Sequence, residues 1–361
     1  MKIALLGDMA FFGKFDINQN PKIKDYFKEV GEYLSQFDYV VGNLETPFSS
    51  ERKKYGAKSA HIMSPPENIT ILKQLNVNIV NLANNHIFDY GEEGYKLTKE
   101  ILTKNSIEYF GIDNKEILKT HESNRIAFHG YCCYSTNPLG MQIDTSEGVH
   151  VLNVKNVKEK MFNFHNKGYN NIIGVHYGQE HVNYPGEEHI RMARSFANVC
   201  PYVFYGHHPH VLQGIENIQN SYLLYSLGNF CFDDVFSDKS KEPLIKQSKN
   251  NKQSMISELT YEGNVLVKKE LTPIIIGENK MHVGNPDIIE NIKIYSDAFK
   301  IPEMEYLIKR EKLIDDYINS RKSKRDFNWY IKRLNWTSVK MVLNSRKNAV
   351  LYKKNISNYL P

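Results

Sequence analysis

The stretch Tyr202-Val203-Phe204-Tyr205-Gly206-His207-His208-Pro209-His210 joins an apolar run directly to three histidines. Its first four residues have the character of a buried β-strand, and the histidines follow where that strand would end. A second stretch, Asn84-Asn85-His86, lies two positions beyond another apolar run. Open α/β sheets bind ligands in the crevice outside the carboxyl ends of their strands. The two stretches therefore predict an α/β fold with several imidazoles at one sheet edge, an arrangement typical of metal sites.

Short apolar strands alternate with amphipathic helical stretches through the first two thirds of the chain. The predicted strands are Lys2–Gly7, Tyr39–Gly42, Val77–Leu82, Arg125–Gly130, Ile172–Val175 and Tyr202–Tyr205. The predicted helices are Ile23–Ser35, Pro66–Leu75, Gly91–Asn105 and Glu187–Val199. This alternation indicates a largely parallel sheet covered by helices. A turn sequence at Glu262-Gly263-Asn264 predicts an antiparallel hairpin made of Met255–Tyr261 and Val265–Thr272.

The composition indicates a globular protein. With 361 residues, 41% of them hydrophobic, the chain is long enough for one large α/β domain or for a domain with an appendage. The four cysteines show no C-x-x-C pair and no spacing of a disulfide framework, so we expect them to be reduced and buried. The first apolar run stops at Asp8, and no run approaches the ~20 apolar residues of a membrane helix. We therefore expect a cytoplasmic protein without a signal peptide or a transmembrane segment.

The positive charge is concentrated at the C-terminus. The formal net charge is +5, but residues 301–361 contain fourteen Lys or Arg and six Asp or Glu, a net of +8 that leaves −3 for residues 1–300. A basic tail could contact anionic membrane lipid, nucleic acid or an acidic polymer, or it could be a solvated helical face. The aromatic and apolar residues among its basic ones are Trp329, Tyr330, Trp336, Leu343 and Tyr352, which suit an interfacial helix or packing on the rest of the protein.

We place a domain boundary near residue 280. Residues 1–280 are predicted to form the α/β domain, and residues 281–361 a mainly helical basic extension. Residues 237–253, which are rich in Ser, Lys, Asn and Gln, are predicted to form a mobile surface loop.

Five polar clusters lie at or just after predicted strand ends. They are Gly7-Asp8, Gly42-Asn43-Leu44-Glu45, Ala83-Asn84-Asn85-His86 with Asp89, His176-Tyr177-Gly178-Gln179-Glu180, and Gly206-His207-His208-Pro209-His210. Because a parallel sheet brings the carboxyl ends of its strands together, residues about two hundred positions apart can converge on one crevice. Taken singly, each has a structural alternative: Asp8 or Asn43 could serve a turn, and a lone histidine is usually structural.

The converging set is suited to metal chemistry. Oxygen donors (Asp8, Glu45, Asn85) and imidazoles (His176, His208, His210) without thiolate are typical of Mn, Fe or Zn at catalytic sites. Two such ions in one site favour phosphoester hydrolysis or a related displacement. The remaining candidates outside these clusters, His129, His150, His165, His181 and His189, are predicted to be surface or core residues. The chain contains neither G-x-G-x-x-G nor G-x-x-x-x-G-K-[ST], which disfavours nucleotide-binding enzymes of those types.

The sequence resembles the bacterial CapA family, the capsule or poly-γ-glutamate synthesis proteins of the calcineurin-like metallophosphoesterase superfamily. The resemblance covers roughly residues 1–275. The segments that carry it are Gly7-Asp8, Gly42-Asn43-Leu44-Glu45-Thr46-Pro47, Leu82-Ala83-Asn84-Asn85-His86-Ile87-Phe88-Asp89-Tyr90-Gly91, Gly174-Val175-His176-Tyr177-Gly178-Gln179-Glu180, Gly206-His207-His208-Pro209-His210-Val211-Leu212-Gln213 and Tyr225-Ser226-Leu227-Gly228-Asn229-Phe230.

The resemblance implies a four-layer α/β/β/α sandwich with a centre of two divalent metal ions. By position, Asp8 and His210 would bind one ion, Glu45 would bridge, and the ligands of the second ion would be Asn85, His176 and His208. His86 would protonate a leaving group, and Asp89 is interpreted as catalytic beside it. The candidate substrate-binding residues are Asn43, Glu180, His207 and Asn229. The chain departs from the wider superfamily, which often opens with Asp-x-His, because Asp8-Met9-Ala10 supplies no imidazole.

These features favour a metal-dependent hydrolase of the phosphoesterase type in capsule, poly-γ-glutamate or other surface-polymer synthesis. Its expected partners are a small-molecule or polymeric acidic substrate, the capsule synthesis machinery and, through residues 301–361, the surface of an anionic membrane. The alternative is a non-catalytic or weakly catalytic subunit that binds the polymer within a synthesis complex. A nucleic-acid enzyme is disfavoured by the net charge of −3 on residues 1–300.

Overall fold

The computed structural model describes residues 1–50, 53–142, 146–236, 242–322, 331 and 334–360. Its strands are β1 (Lys2–Met9), β2 (Tyr39–Leu44), β3 (Ile79–Asn81), β4 (Glu108–Phe110), β5 (Ile117–His121), β6 (Asn124–Cys132), β7 (Asn170–His176), β8 (Tyr202–His207), β9 (Ile215–Ile218), β10 (Ser221–Leu224), β11 (Asn229–Cys231), β12 (Gln253–Glu262), β13 (Val265–Ile276) and β14 (Met281–Val283). Its α-helices are α1 (Ile23–Tyr26), α2 (Lys28–Leu34), α3 (Ile69–Gln74), α4 (Gly91–Lys104), α5 (Val154–Asn166), α6 (Glu187–Ala197), α7 (Pro286–Asp297), α8 (Glu303–Lys322) and α9 (Trp336–Asn355).

The strands form two sheets. One has the order β14-β13-β12-β1-β2-β3-β4, with β11 also paired to β1, and the other has the order β5-β6-β7-β8-β10-β9. The neighbours β1, β2, β3 and β4 are parallel, as are β6, β7, β8 and β10. The predicted hairpin is confirmed as the antiparallel pair β12 and β13, which extends the first sheet beside β1. The predicted helix Ile23–Ser35 is instead interrupted at Phe27, between α1 and α2.

Three apolar cores separate four layers. Leu5 of β1 and Val203 of β8 belong to the core between the two sheets. The opposite face of the first sheet packs against helices through residues such as Val30 of α2. The opposite face of the second sheet packs against helices through residues such as Phe196 of α6. The fold is therefore the predicted α/β/β/α sandwich.

A glycine sets the position of the histidine segment that follows β8. A Cβ on Gly206 would lie 2.0 Å from the carbonyl oxygen of Tyr225 and 2.7 Å from the ring of Tyr177. A side chain at this position would therefore push β8 away from its neighbours, which fixes where His207 and the residues after it can lie.

The C-terminal region is helical, as predicted, and parts of it pack on the sandwich. Ile288 and Ile292 of α7 are buried in the core between the sheets, and Tyr306 of α8 is buried against the second sheet's outer layer. The domain boundary near residue 280 stays a prediction. Among the described helices, none combines the length and the apolar character needed to cross a bilayer.

Buried histidine at the second sheet makes folding stability depend on pH. His129 of β6 is fully buried, and its Nε2 and Nδ1 lie 3.0 Å from Asn171 Oδ1 and 3.0 Å from the hydroxyl of Tyr131. Burial lowers the pKa of His129 to about 3. Because the pKa in the unfolded chain is near 6.5, the stability contributed by the neutral ring is complete above pH 6.5. It is lost as the pH falls from there towards 3.

We expect protein treated with a chelator to lose roughly 2 kcal/mol of unfolding free energy through this one group between pH 7 and pH 5. His129→Gln removes the titrating ring, so the variant should be less stable at pH 7 but should lose less on acidification. Urea unfolding of both proteins at the two pH values measures the difference. If the wild-type protein and the variant lose the same unfolding free energy between pH 7 and pH 5, His129 is not the group responsible for the loss.

Candidate metal centre

The six side chains predicted as metal ligands come together at the carboxyl ends of five parallel strands. They are Asp8 in β1, Glu45 after β2, Asn85 after β3, His176 at the end of β7, and His208 and His210 after β8. All six are buried. The two sheets each contribute part of the set, so the cluster forms only because the sandwich brings both sets of strand ends to one edge.

Glu45 occupies the middle of this cluster. Its Oε1 lies 3.8 Å from Nε2 of His176 and 3.7 Å from Nε2 of His210. Neither carboxylate oxygen has a hydrogen-bond partner among the described residues. Burial, with the nearby charge of Asp8, raises the pKa of Glu45 well above its usual value. A buried carboxylate without a partner is costly, so this position fits a bound cation.

Asp8 is surrounded by donors. Its Oδ1 lies 2.9 Å from Nδ1 of His207 and accepts a hydrogen bond from the Asn43 amide at 2.9 Å. Its Oδ2 accepts one from the backbone N–H of His208 at 3.1 Å and lies 3.4 Å from Nδ1 of His210. Burial alone would raise the pKa of Asp8, but its contacts with His207 and His210 hold that pKa well below the usual range. Asp8 is therefore an ionised oxygen donor.

Two of the histidines are neutral, which is the form that binds metal. Burial lowers the pKa of His208 to about 3, and burial together with His208 lowers that of His176 well below its usual value. Nε2 of His176 lies 3.0 Å from Oδ1 of Asn85, at hydrogen-bond distance. His210 differs: burial opposes its charge, but Glu45 and Asp8 raise its pKa to about 10.

The backbone of the histidine segment is unusual. His208 and His210 have φ values of 91° and 57°, in the left-handed region that residues other than glycine rarely adopt. Such conformations persist where the surrounding structure enforces them, and they are concentrated at functional sites.

Beside the cluster, His86 is held by a carboxylate and an ammonium group. Nδ1 of His86 lies 2.6 Å from Oδ2 of Asp89. Lys58 donates to Oδ1 of Asp89 at 2.6 Å and to the carbonyl oxygen of Asn85 at 2.7 Å. Burial lowers the pKa of His86, and Asp89 opposes this shift. With Nδ1 engaged, Nε2 is the ring atom of His86 that is available to a ligand.

A cavity of about 600 Å³ opens beside these groups. Its lining residues include His86, His210, Glu180, His181 and Lys58. Burial alone would raise the pKa of Glu180, but the neighbouring histidines, His208 first among them, lower it to about 2. The cavity therefore brings a substrate to the imidazole of His86 and to one edge of the ligand cluster.

The candidate substrate-binding residues separate into two groups. Glu180 lines the cavity, whereas Asn43, His207 and Asn229 are buried and are not among its lining residues. Asn43 and His207 contact Asp8. Oδ1 of Asn229 lies 2.9 Å from Nδ1 of His210. Asn43, His207 and Asn229 are therefore placed to orient the candidate metal ligands Asp8 and His210. Their positions do not support a direct contact with a substrate.

Three residues of the site were not predicted from the sequence to be site residues: Lys58, His181 and Asn251. Lys58 lies in a loop with no periodic pattern and no motif. His181 is predicted as a surface or core residue but lines the cavity, with its Nδ1 2.8 Å from the Asn251 amide. Asn251 belongs to the stretch 237–253, predicted to be a mobile loop. It is buried, and its amide also donates to the carbonyl oxygen of His210 at 2.9 Å. Residues 237–241 of that stretch lie outside the described residues.

The protein is an α/β/β/α sandwich with a buried cluster of carboxylate, amide and imidazole side chains at its strand ends. Residues 2–234 match the family model of the bacterial capsule synthesis protein PGA_cap, and the chain belongs to this family.

Similar proteins are known from several bacteria. The PGA biosynthesis protein CapA of Bacillus subtilis is 26% identical over 314 residues, which cover 82% of this chain and 77% of that protein. The capsule biosynthesis protein CapA of Bacillus anthracis is 29% identical over 240 residues, covering 62% of this chain and 57% of that protein. A solved structure of a novel phosphatase from Mycoplasma pneumoniae superposes with a TM-score of 0.44 at 16% identity, covering 80% of this chain and 96% of that one.

Proposed function

We propose that this protein is a metal-dependent hydrolase of phosphoesters that acts in the synthesis of capsule, poly-γ-glutamate or another surface polymer. The observation that carries the proposal is the buried carboxylate of Glu45, which has no hydrogen-bond partner among the described residues and lies between His176 and His210. The cavity beside it exposes His86 to a substrate. Membership of the capsule synthesis family supports the pathway.

The ligand set fits two divalent ions, with Mn, Fe or Zn as candidates. Asp8 and His210 would hold one ion, Asn85, His176 and His208 would hold the other, and Glu45 would bridge them. When bound, such ions polarise phosphoryl oxygens and lower the pKa of water.

The chain's own residues would supply the remaining chemistry. In hydrolysis, water adds to phosphorus, the bond from phosphorus to the leaving oxygen breaks, and that oxygen takes up a proton. His86 is the group placed to give that proton, because Asp89 fixes its Nδ1 and the ring borders the cavity. Because burial lowers the pKa of His86, the proton it gives must be replaced by one that the attacking water releases; the other proton of that water stays on the new phosphate oxygen. Asp89 and Lys58 act as positioning residues.

We expect two histidine variants to separate metal binding from proton transfer. His208→Ala should lose bound metal and turnover together. His86→Ala should keep its metal, but hydrolysis of a phosphodiester with an alkoxide leaving group should fall by about 10²–10⁴-fold. Its hydrolysis of bis(p-nitrophenyl) phosphate should fall much less, because p-nitrophenolate departs without a proton. Elemental analysis and steady-state kinetics give the two readouts.

His121→Ala is the matched control, since His121 is exposed on β5, away from the cluster. If His86→Ala releases the metal, or slows both substrates equally, the assigned role of His86 is wrong. Bound metal in the wild-type protein with no turnover of any phosphodiester would favour the alternative, a polymer-binding subunit. The missing imidazole after Asp8 is the sequence feature that keeps this alternative open.

We also propose that the C-terminal region docks on an anionic membrane. Helix α9 exposes 78% of Trp336, 56% of Leu343 and 68% of Val350, which recur at helical spacing on one face. Lys340 and Lys354 are exposed near them. An exposed apolar stripe flanked by basic residues fits a surface of anionic lipid.

Two further aromatic residues of the tail, Trp329 and Tyr330, lie outside the described residues, whereas Tyr352 packs against the sandwich. Because Tyr352 is packed, a test by point substitution is cleaner than a truncation. The cytoplasmic location stays a prediction.

Replacing Trp336 and Leu343 with Ser should abolish co-sedimentation with vesicles that contain phosphatidylglycerol and leave phosphodiester turnover unchanged. The difference in vesicle binding between the wild-type protein and the variant should be largest at low salt. Added salt screens the attraction between the basic residues and the anionic lipid, so it weakens binding of the wild-type protein too. Phe162→Ser, at a residue 54% exposed on α5, is the control for a general loss of apolar surface. Wild-type protein that ignores such vesicles at every ionic strength would count against membrane docking.

A further inference from the structure

Helix α9 runs along the cavity that leads to the metal centre. Met341, Ser345, Asn348 and Leu351 recur at helical spacing, and all four line the cavity. The face that carries Leu343 and Val350, described above, is a different one. The lining of the cavity therefore includes both His86 and His210 of the site and the C-terminal helix.

This helix is held in place by specific contacts. The Asn348 amide donates to Oδ1 of Asn137 at 3.2 Å, and the Asn153 amide donates to Oδ1 of Asn355 at 2.7 Å. Immediately after the helix, Ile356 is 1% exposed within the apolar core outside the second sheet. The wall of the cavity is therefore a fixed element, anchored at both the cavity and the core.

Helix α8 also contacts residues of the site and of the loop beside it. The ring of Tyr317 lies 4.9 Å from the ring of His181, centroid to centroid. The hydroxyl of Tyr306 donates to the carbonyl oxygen of Pro185 at 2.7 Å. The C-terminal region thus contacts the site both at His181 and across the cavity.

The size and lining of the cavity indicate what it would accept. About 600 Å³ is the volume of a pocket for an organic ligand and far exceeds what a phosphate group fills. Beyond the metal ligands, the polar residues that line the cavity include Asn137, Asn344, Ser345, Asn348 and the cationic Lys347. These amides and the hydroxyl can both donate and accept hydrogen bonds, and Lys347 attracts an anion.

We infer that α9 is a wall of the substrate cavity, and that Ser345, Lys347 and Asn348 recognise the part of the substrate remote from the scissile bond. That part would carry hydroxyl or amide functions and a negative charge. The inference rests on the proposed function, because it assumes that the reacting phosphoester lies at His86 and the metal ligands.

The position of the helix can be tested without any activity. Cysteines replacing the hydrogen-bonded pairs should be joined by a short bis-methanethiosulfonate reagent in the full-length protein, in Asn137→Cys/Asn348→Cys and in Asn153→Cys/Asn355→Cys. The native cysteines are buried and should not interfere. Asn137→Cys/Arg346→Cys is the control, because Arg346 is exposed and does not line the cavity. If neither test pair is cross-linked, the inference that α9 is a wall of the cavity is wrong.

The role in recognition can be tested with two substrates that release the same p-nitrophenolate. One is methyl p-nitrophenyl phosphate, and the other is thymidine 5′-(p-nitrophenyl phosphate), whose nucleoside must extend into the cavity. Ser345→Trp should lower kcat/KM for the thymidine ester about tenfold relative to the methyl ester, the scale of a few lost contacts. Arg346→Trp, with the same added ring outside the cavity, should keep the wild-type ratio.

The outcomes separate this inference from the proposed function. An unchanged substrate ratio in Ser345→Trp would overturn the recognition role even if the protein is an active hydrolase. Cross-links with no turnover of any phosphoester would overturn the proposed function, and the recognition role with it. If phosphoesters are hydrolysed but neither pair is cross-linked, the proposed hydrolase function stands, and the inference that α9 is a wall of the cavity is wrong.

Discussion

A single buried carboxylate organises the site of this protein. Glu45 has both oxygens inside the sandwich, with no hydrogen-bond donor among the described residues and with Asp8 nearby to raise its pKa. A buried carboxyl group without a hydrogen-bond partner opposes folding. Two histidine nitrogens lie within 4 Å of Oε1. The arrangement is understandable if the folded protein binds cations there, so that metal binding and folding stability are linked.

The rest of the architecture serves to hold this group. Two mixed sheets, packed face to face, bring ligands from five strand ends to one edge, and the close approach at Gly206 fixes the segment that carries His208 and His210. Around the ligands, Asn43 and Asn229 hydrogen-bond Asp8 and His210, and Nδ1 of His207 lies 2.9 Å from Asp8. Partners of this kind orient metal ligands and tune their basicity. The same sandwich leaves a cavity on one side, where His86 faces a substrate.

Much of this could be predicted from the sequence, because the signals were local. Apolar runs followed at once by His, Asn, Asp or Glu mark strand ends, and a parallel sheet makes strand ends converge. Lys58 and Asn251 could not be found in this way: each reaches the site from an irregular loop, and its role depends on a contact with a residue far away in the chain. His181 lies close to a motif, but nothing in the spacing shows that its ring borders a cavity. The contribution of α9 to the cavity could not be predicted from the sequence either. A basic amphipathic helix has the same sequence pattern whether it covers a site or faces solvent.

The central claim is that the buried Glu45 carboxylate is a ligand of bound metal. The most direct measurement is an anomalous difference map at the manganese edge from crystals grown with Mn²⁺. The account predicts peaks at about 2.0–2.2 Å from the Glu45 oxygens, one beside Asp8 and His210 and one beside Asn85, His176 and His208. Manganese found only at surface carboxylates, with the Glu45 oxygens bonded to protein donors instead, would contradict it.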